Sequence, residues 1–331
     1  MWKKNIMSAT APTLTPKSSP LGTKRWIHFV EDVELSCYSY HLPHVPHDHD
    51  ESIPSSSSSS SFSASPAALS SSRLDDWYRA LHPSAYVDEP RGSAWTDASH
   101  GGRTLLRKTA WSVLGDGDDA SSCSCEYGYS DTWQGLVTSS RMMRVLREMT
   151  DEITRIVGRG GGGNLNSVNL NYYPPGGGVG YHADDEFLFD GTNRPTRIIS
   201  LSLCGPRGRR DGEDEDEDED EGGQYSGERV FQVKRKSTRT DGHRPADRDG
   251  GEGGDDIVEI TLRHGDVITM EGMFQRHYLH SIWPGDDDDP SRVDDVRCRG
   301  ERINLTWRTI VRHLDGSDEC RGLVCPLATR E

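Results

Sequence analysis

The sequence contains no long hydrophobic run and is poor in hydrophobic residues throughout. Only 32% of its 331 residues are hydrophobic and 8% are aromatic, whereas it holds 35 glycines and 17 prolines. No segment approaches the roughly 18 consecutive apolar residues of a membrane-spanning helix, so we expect no membrane insertion. Such a chain buries too little apolar surface to fold throughout, so we expect part of it to be disordered.

The cysteine pattern of a disulfide-stabilised secreted domain is also missing. The seven cysteines are an odd number and are widely scattered. Residues 1–25 lack the apolar core of a secretory signal, so we expect the nucleus or the cytoplasm. The same residues carry five basic side chains, no acid, and many serines and threonines. A chloroplast or mitochondrial transit peptide is therefore the alternative.

Acidic residues outnumber basic ones, and the formal net charge is −16. Ten of the negative charges lie in one run, residues 211–221. The rest of the chain is only mildly acidic, which leaves room for a local basic face that binds a polyanion. A run of like charge is usually solvated and disordered; a regulatory or partner-binding role is the alternative.

Low-complexity sequence predicts a flexible tail over residues 1–72. Residues 41–52 form a histidine-rich tract with prolines, and residues 55–61 are unbroken serine. Histidine-rich tracts can bind metal, but the prolines and serines favour a loop and a flexible linker. Within this tail, residues 26–40 are the candidate for a short ordered stretch.

The remaining chain predicts one folded domain over residues 73–315, followed by a C-terminal tail over residues 316–331. Two charged inserts, at about residues 205–227 and 237–255, interrupt this domain. We expect both inserts to be disordered.

One helix is readable between Ser139 or Ser140, which can cap its start, and Gly158, which can end it. Its apolar residues recur at three- and four-residue steps. Short segments rich in valine, isoleucine and aromatic residues then predict strands, at residues 167–173, 197–203, 229–235, 256–262, 266–270 and 302–311. A helix followed by many strands predicts a mainly β (α+β) fold, a β-sandwich or jelly roll with helices packed outside.

His182 and Asp184 form a His-x-Asp pair, a weak signal alone. Residues two apart on a strand face the same side, so both side chains can reach one point. His280, after another predicted strand, is the candidate third ligand. Two histidines and one carboxylate make the facial triad of non-haem iron(II) oxygenases. A structural zinc site would more often have four protein ligands including cysteine.

The segment RINLTWR carries two arginines, Arg302 and Arg308, on one face of a predicted strand, with Asn304 and Thr306 between them. Two guanidiniums inside a jelly roll need anions to meet them, and a dicarboxylate suits the bidentate fork of arginine. A surface strand of alternating polarity is the alternative that spacing alone leaves open.

These motifs together resemble a known family. NLNYYPPGGGVGYHADDE, RIISLSL, HGDVITMEGMFQRHYLHS and RINLTWR, in this order, resemble the AlkB family of 2-oxoglutarate- and iron(II)-dependent dioxygenases, and most closely its nucleic-acid repair branch. The resemblance covers about residues 103–312 and implies a double-stranded β-helix (jelly roll) core with N-terminal helices outside.

The resemblance implies roles for individual residues. His182, Asp184 and His280 would bind Fe(II), with O2 as a co-substrate. The residues that would bind 2-oxoglutarate are Asn171, Tyr173, Arg302, Asn304, Thr306 and Arg308. Asp185 would face the substrate base, and Glu186 would support its loop.

The segments RKTAWSVLG and CSCEYGYSD match the position of the family's nucleotide-recognition lid. Trp111, Tyr127 and Tyr129 are candidates to stack on a flipped base, with ordinary core packing as the alternative for each. Arg107 and Lys108 are candidates for phosphate contact. For His277 we favour simple packing or solvent exposure.

Four cysteines suggest a separate zinc site that would join the lid to the C-terminus: Cys123, Cys125, Cys320 and Cys325. Their spacing is not that of a standard finger, and buried free cysteines are the alternative.

The function that we expect is oxidative demethylation of N-alkylated nucleobases in DNA or RNA, in DNA alkylation repair, with alkylated nucleic acid as the partner and a monomeric enzyme. The alternatives are an RNA demethylase or an oxygenase that acts on protein side chains, a non-catalytic nucleic-acid-binding module, and a sugar-binding or cupin-like jelly roll.

Overall fold

The computed structural model describes residues 26–44, 69–100, 102–114, 125–129, 132–158, 165–206, 225–236, 257–283, 300–312, 319–320 and 323–324. Several predicted features fall outside these residues. They are the polyserine run, the acidic run, the insert at 237–255, most of the C-terminal tail, Cys123, Cys325, and the side chains of Tyr129 and Cys320.

The described residues form many short strands and a few helices. The strands are β1 (Ile27–Asp32), β2 (Cys37–Leu42), β3 (Thr96–His100), β4 (Arg103–Val113), β5 (Tyr127–Tyr129), β6 (Thr132–Gln134), β7 (Ser167–Tyr173), β8 (Val179–His182), β9 (Thr196–Cys204), β10 (Arg229–Arg235), β11 (Val258–Leu262), β12 (Val267–Gly272), β13 (Tyr278–Trp283), β14 (Arg302–Arg308), β15 (Glu319–Cys320) and β16 (Leu323–Val324). The α-helices are α1 (Ser71–Leu81), α2 (Ser140–Val157) and α3 (Phe274–His277), and a 3-10 helix spans Pro83–Tyr86.

Two antiparallel sheets pack face to face. The larger has the order β1-β2-β12-β9-β14-β7-β4-β3, and the smaller has the order β11-β10-β13-β8. Apolar side chains from both sheets fill the space between them, among them Ile198 and Met270 from the larger sheet and Phe231 and Ile282 from the smaller. The predicted mainly β, jelly-roll fold is confirmed.

The helices α1 and α2 cover the outer face of the larger sheet. Leu146 and Met149 of α2 are fully buried against sheet residues such as Leu305 and Trp307. The α2 bounds agree with the prediction, since the Ser139 hydroxyl accepts a hydrogen bond from the Met142 backbone N–H at 3.2 Å. None of the described helices is long and apolar enough to cross a membrane.

Residues 26–44, which include the candidate ordered stretch at residues 26–40, form two strands and are not part of a flexible tail. β2 pairs with β12, with Cys37 opposite Gly272 and Leu42 opposite Val267. This pairing satisfies the hydrogen-bonding edge of β12, and β1 then covers β2. The folded region therefore begins well before residue 73, and α1 starts at Ser71.

Two further segments differ from their first interpretation. Residues 107–113, expected in the nucleotide lid, belong to β4, which pairs with β7 inside the larger sheet. Every residue of β14 is buried, so the alternative of a surface strand is wrong for RINLTWR. Of the predicted insert at 205–227, the described ends meet in a bridge between Pro206 and Tyr225.

Candidate active site

The site is organised around three side chains at one end of the smaller sheet. His182 closes β8 and lies opposite His280 of β13 in the strand register. Oδ1 of Asp184 lies 3.6 Å from Nε2 of His182 and 3.9 Å from Nε2 of His280. Within the described part of the chain, this is the single group of three or more metal-ligating side chains whose ligand atoms lie within 4.8 Å of one another.

The protonation of these groups suits a divalent cation. Burial lowers the pKa of His182, and burial with the neighbouring imidazole lowers that of His280 to about 3. Nδ1 of His182 donates to the Gly180 carbonyl at 2.8 Å, which leaves the lone pair of Nε2 for a metal. Burial opposes ionisation of Asp184, but Arg308 and the two histidines hold its pKa below the ordinary value. Two neutral imidazoles and one carboxylate result.

Arg308, at the end of β14, holds the carboxylate of Asp184 in place. Its Nη2 lies 2.6 Å from Oδ2 of Asp184, and its Nη1 donates to the Tyr127 hydroxyl at 2.9 Å. That hydroxyl in turn donates to Glu186. Burial raises the pKa of Glu186 to about 7. Glu186 therefore supports the site indirectly, through the Tyr127 hydroxyl that accepts from Arg308. No sequence pattern predicted this contact.

Two residues that sequence reasoning missed fix the backbone of the metal loop. Oε1 of the buried Gln275 accepts from the Asp184 backbone N–H at 2.8 Å. Gly191 passes so close that an added Cβ would lie 3.1 Å from the Asp184 carbonyl and 3.2 Å from Cβ of Gln275. A side chain at residue 191 would therefore push the loop away from Gln275.

Arg302 begins β14 and is fully buried. Its Nη2 donates to Oγ of Ser202 at 2.9 Å and to Oδ1 of Asn304 at 2.8 Å. Nε and Nη1 of Arg302 have no hydrogen-bond partner among the described residues, an arrangement that is costly without an anion. The guanidinium lies 5.7 Å from the centre of the Tyr173 ring. Burial lowers the pKa of Arg302 to about 10.

A cavity of about 170 Å³ is lined by the three metal-ligand candidates and by Arg308. Of the residues predicted from sequence, those that line it are Arg107, Tyr127, Asn171, Tyr173, His182, Asp184, His280, Asn304, Thr306 and Arg308. Sequence reasoning missed the wall made by β3 and β6, which contributes Thr96, Asp97, Ala98, Ser99, Gln134 and Gly135. Arg302 is not among the lining residues, but its Nη2 donates to Asn304, which lines the cavity.

The structure corrects one of the proposed base-stacking residues. Trp111 is fully buried, stacks on Tyr127 with 5.0 Å between ring centres, and donates from Nε1 to the Cys125 carbonyl at 2.9 Å. No face of Trp111 is left for a base, so its stacking role is wrong and core packing is correct. Tyr127 is also buried, although it lines the cavity.

Two polar residues predicted to contact substrate lie at the surface. The side chain of Asp185 is 43% exposed, and its Oδ2 lies 3.6 Å from Nζ of Lys236. Nζ of Lys108 pairs with Asp97 at 2.5 Å. A contact between Asp185 and a substrate base stays a prediction. The described residues give the zinc hypothesis no support, since Cys125 is the sole member of the predicted four whose side chain they include.

Comparison with known proteins places the chain in a family. The model of the 2OG-Fe(II) oxygenase superfamily matches residues 65–308. The chain belongs to this superfamily. The residues fit what the family binds: the histidines and Asp184 supply the donor set of ferrous iron, and the unpartnered nitrogens of Arg302 suit a carboxylate.

Individual relatives agree with the resemblance found in the sequence. The chain is 29% identical over 172 residues to the DNA oxidative demethylase ALKBH2 of Arabidopsis thaliana, an alignment that covers 50% of this chain and 43% of that protein. This 2OG-Fe(II) oxygenase thus spans less than half the length of that curated relative. The match supports the AlkB resemblance.

Solved structures that match the chain include OsALKBH1, with 17% identity, a TM-score of 0.36, and coverage of 71% of this chain and 92% of that one. Another is a prolyl hydroxylase from Trichoplax adhaerens in complex with a hypoxia inducible factor peptide fragment. Its identity is 12%, its TM-score is 0.35, and the match covers 72% of this chain and 79% of that one.

Proposed function

We propose that this chain is a 2-oxoglutarate- and Fe(II)-dependent dioxygenase that removes methyl groups from N-alkylated nucleobases in DNA or RNA. The observation that carries the proposal is that the candidate metal ligands and two candidate co-substrate residues line one cavity. The triad His182, Asp184 and His280 lines the same cavity as Asn171 and Tyr173, which the family resemblance assigns to the co-substrate.

The proposed reaction balances without a further reductant. When bound, iron, 2-oxoglutarate and O2 supply the oxidation of a substrate N-methyl group to N-hydroxymethyl, with succinate and CO2 as the other products. The N-hydroxymethyl group then loses formaldehyde, and its hydroxyl proton passes to the nitrogen of the restored base. DNA alkylation repair is the biological role that we propose for this chemistry.

The chain's own residues would bind and orient the reactants. Arg308 holds Asp184 as a carboxylate, and Gly180 fixes the tautomer of His182. Arg302 would meet the distal carboxylate of 2-oxoglutarate with its two unpartnered nitrogens. The apolar cavity wall, which includes Phe231 and Met270, would keep water from the reacting groups.

A basic surface beside the metal loop favours a polyanionic substrate. We define it by Lys234, Arg235, Lys236 and Arg276, of which Arg235 and Arg276 are exposed. Nζ of Lys236 donates to the Gln275 carbonyl at 2.8 Å, while the Gln275 side chain binds the backbone of Asp184. In a chain with a net charge of −16, positive charge gathered at this place suits a phosphate backbone.

The location of this charge also separates the proposal from its alternatives. The basic surface and Arg107 in the cavity wall favour nucleic acid over a protein side chain as substrate. The complete triad, with Arg308 bound to it, favours an enzyme over a binding module.

The proposal is tested by formaldehyde release from N-methylated single-stranded DNA, duplex DNA, RNA and a peptide of matched length, with Fe(II) and 2-oxoglutarate supplied. We expect formaldehyde from at least one nucleic acid and none from the unmethylated controls. Turnover of the peptide alone would contradict the nucleobase assignment. Activity on RNA alone would favour the RNA demethylase and remove the role in DNA repair.

A further inference from the structure

Arg229, the first residue of β10, is a buried charge that the proposed chemistry does not use. Its side chain is fully buried, where a guanidinium is costly unless its donors are satisfied. Backbone carbonyl oxygens accept hydrogen bonds from all three nitrogens of its guanidinium. Nε donates to Gly177 at 3.2 Å, Nη1 to Glu228 at 2.9 Å, and Nη2 to Gly300 at 2.8 Å and to Pro174 at 3.4 Å.

These carbonyls belong to the segments that carry two of the proposed co-substrate residues. Pro174 directly follows Tyr173, the last residue of β7, and Gly300 precedes Arg302, the first residue of β14, by two positions. Tyr173 and Arg302 are themselves opposite each other in the register of β7 and β14. The guanidinium of Arg229 therefore joins the end of one strand to the start of the other.

The backbone around this link is closely packed. An added Cβ on Gly177 would lie 2.8 Å from the Leu106 carbonyl, and one on Gly300 would overlap the backbone of Ser226. An added Cβ on Gly227 would overlap the carbonyl of Glu301. The three segments cannot separate without breaking the bonds to Arg229, so its side chain sets their spacing.

Arg229 also places a second positive charge near Arg302. Burial lowers the pKa of Arg302 to about 10, and the Arg229 guanidinium acts in the same direction. Two guanidiniums in a region shielded from water favour an anion of full charge between or beside them, because buried charges are weakly screened. Nε and Nη1 of Arg302, which have no hydrogen-bond partner among the described residues, can donate to such an anion.

We propose that Arg229 is a positioning residue for the distal carboxylate of the co-substrate. By holding the backbone next to Tyr173 and Arg302, it makes this end of the cavity select a dicarboxylic 2-oxo acid over a monocarboxylic one. This inference rests on the proposed function, because it takes 2-oxoglutarate as the co-substrate. It does not depend on which nucleic acid is demethylated.

The test compares two ligands that share the 2-oxo acid end. The dissociation constants of 2-oxoglutarate and of 2-oxopentanoate, which lacks the distal carboxylate, are measured calorimetrically on the full chain loaded with Mn(II). The variants are Arg229→Met, which removes charge and donors, and Arg229→Lys, which keeps the charge. Arg79→Met, an exposed arginine of α1, is the matched control, and thermal unfolding of each variant reports its fold.

We expect Arg229→Met to weaken 2-oxoglutarate binding by about ten-fold and to change 2-oxopentanoate binding by less than about two-fold. Arg229→Lys should fall between Arg229→Met and the wild type, and Arg79→Met should match the wild type. If Arg229→Met does not fold, the Lys variant decides: it should still lose more affinity for the dicarboxylate than for the monocarboxylate.

Equal losses for the two ligands would show a merely structural role and overturn the inference, and so would unchanged affinities in both Arg229 variants. If the wild-type chain prefers 2-oxoglutarate over 2-oxopentanoate and both Arg229 variants keep that preference, this inference alone fails. If the wild-type chain binds neither ligand, the proposed function fails together with it.

Discussion

Nη2 of Arg308 lies 2.6 Å from Oδ2 of Asp184. This ion pair joins the last residue of β14, in the larger sheet, to the loop that follows β8, in the smaller sheet. It leaves Oδ1 of Asp184 facing Nε2 of both histidines. The metal-binding geometry therefore depends on both sheets, and on an arginine that does not itself bind metal.

Replacing Arg308 by methionine should weaken metal binding. Loss of a hydrogen-bonded partner behind a metal ligand typically lowers affinity by about 10–100-fold, and here a buried carboxylate would also be left unpaired. Titration with Mn(II) measures the effect. Arg155→Met, on the exposed face of α2, is the control, and equal affinity of the Arg308 variant and this control would contradict the assigned role.

Replacing Gln275 by leucine should destabilise the metal loop. The Asp184 backbone N–H would lose its acceptor inside the protein, at a cost of about 1–3 kcal/mol in the free energy of unfolding. Urea unfolding of the metal-free chain measures this cost. Gln275→Glu keeps an acceptor oxygen and should retain more of the stability; a leucine variant as stable as the wild type would show that Gln275 does not support the loop.

Reversing charge on the basic surface should weaken nucleic-acid binding without changing the chemistry. The double variant Arg235→Glu with Arg276→Glu should raise KM for the oligonucleotide and leave kcat nearly unchanged. The slope of log affinity against log salt should fall by about one for each phosphate that the surface no longer neutralises. The exposed Arg79→Glu serves as the control. An unchanged salt slope would show that the phosphate backbone does not bind to this surface.

Trp111 should matter for stability and not for base recognition. Its ring is enclosed by Tyr127 and Phe189, so Trp111→Ala should lower the free energy of unfolding by about 3–5 kcal/mol. The milder Trp111→Phe should stay folded and bind oligonucleotide with wild-type affinity. If a folded Trp111→Phe chain lost its selectivity for methylated over unmethylated oligonucleotide, Trp111 would have a role in base recognition after all.

Local sequence patterns are sufficient to recognise several of the polar residues of the site. His182 and Asp184 are marked by their ligand type and spacing, although β8 ends at His182 and Asp184 lies in the loop after it. Arg302, Asn304, Thr306 and Arg308 alternate along β14 with apolar residues that face the helices. Period-two alternation and ligand type are both local properties, so these side chains could be placed in advance. The helix α2 was readable for the same reason, from its own periodicity and its caps.

Other parts of the site depend on packing between distant segments, which no local pattern marks. Asp97 and Gln134 line the cavity because β3 pairs with β4 and because Oε1 of Gln134 accepts a hydrogen bond from Thr109 of β4. Gln275 and Arg229 act through backbone atoms of segments far away in sequence. Residues 26–40 are a candidate ordered stretch from sequence, but their position in the larger sheet is not, because the pairing of β2 with β12 joins segments far apart in the chain.

The dioxygenase assignment is tested most directly by measuring succinate and formaldehyde together from an N-methylated oligonucleotide, with wild type, His280→Ala and Asp184→Ala compared. We expect equal amounts of the two products from the wild-type chain. Both variants should release no formaldehyde, while thermal unfolding shows them to be folded. Formaldehyde release by a folded Asp184→Ala chain, or none from the wild type on any methylated nucleic acid, would contradict the assignment.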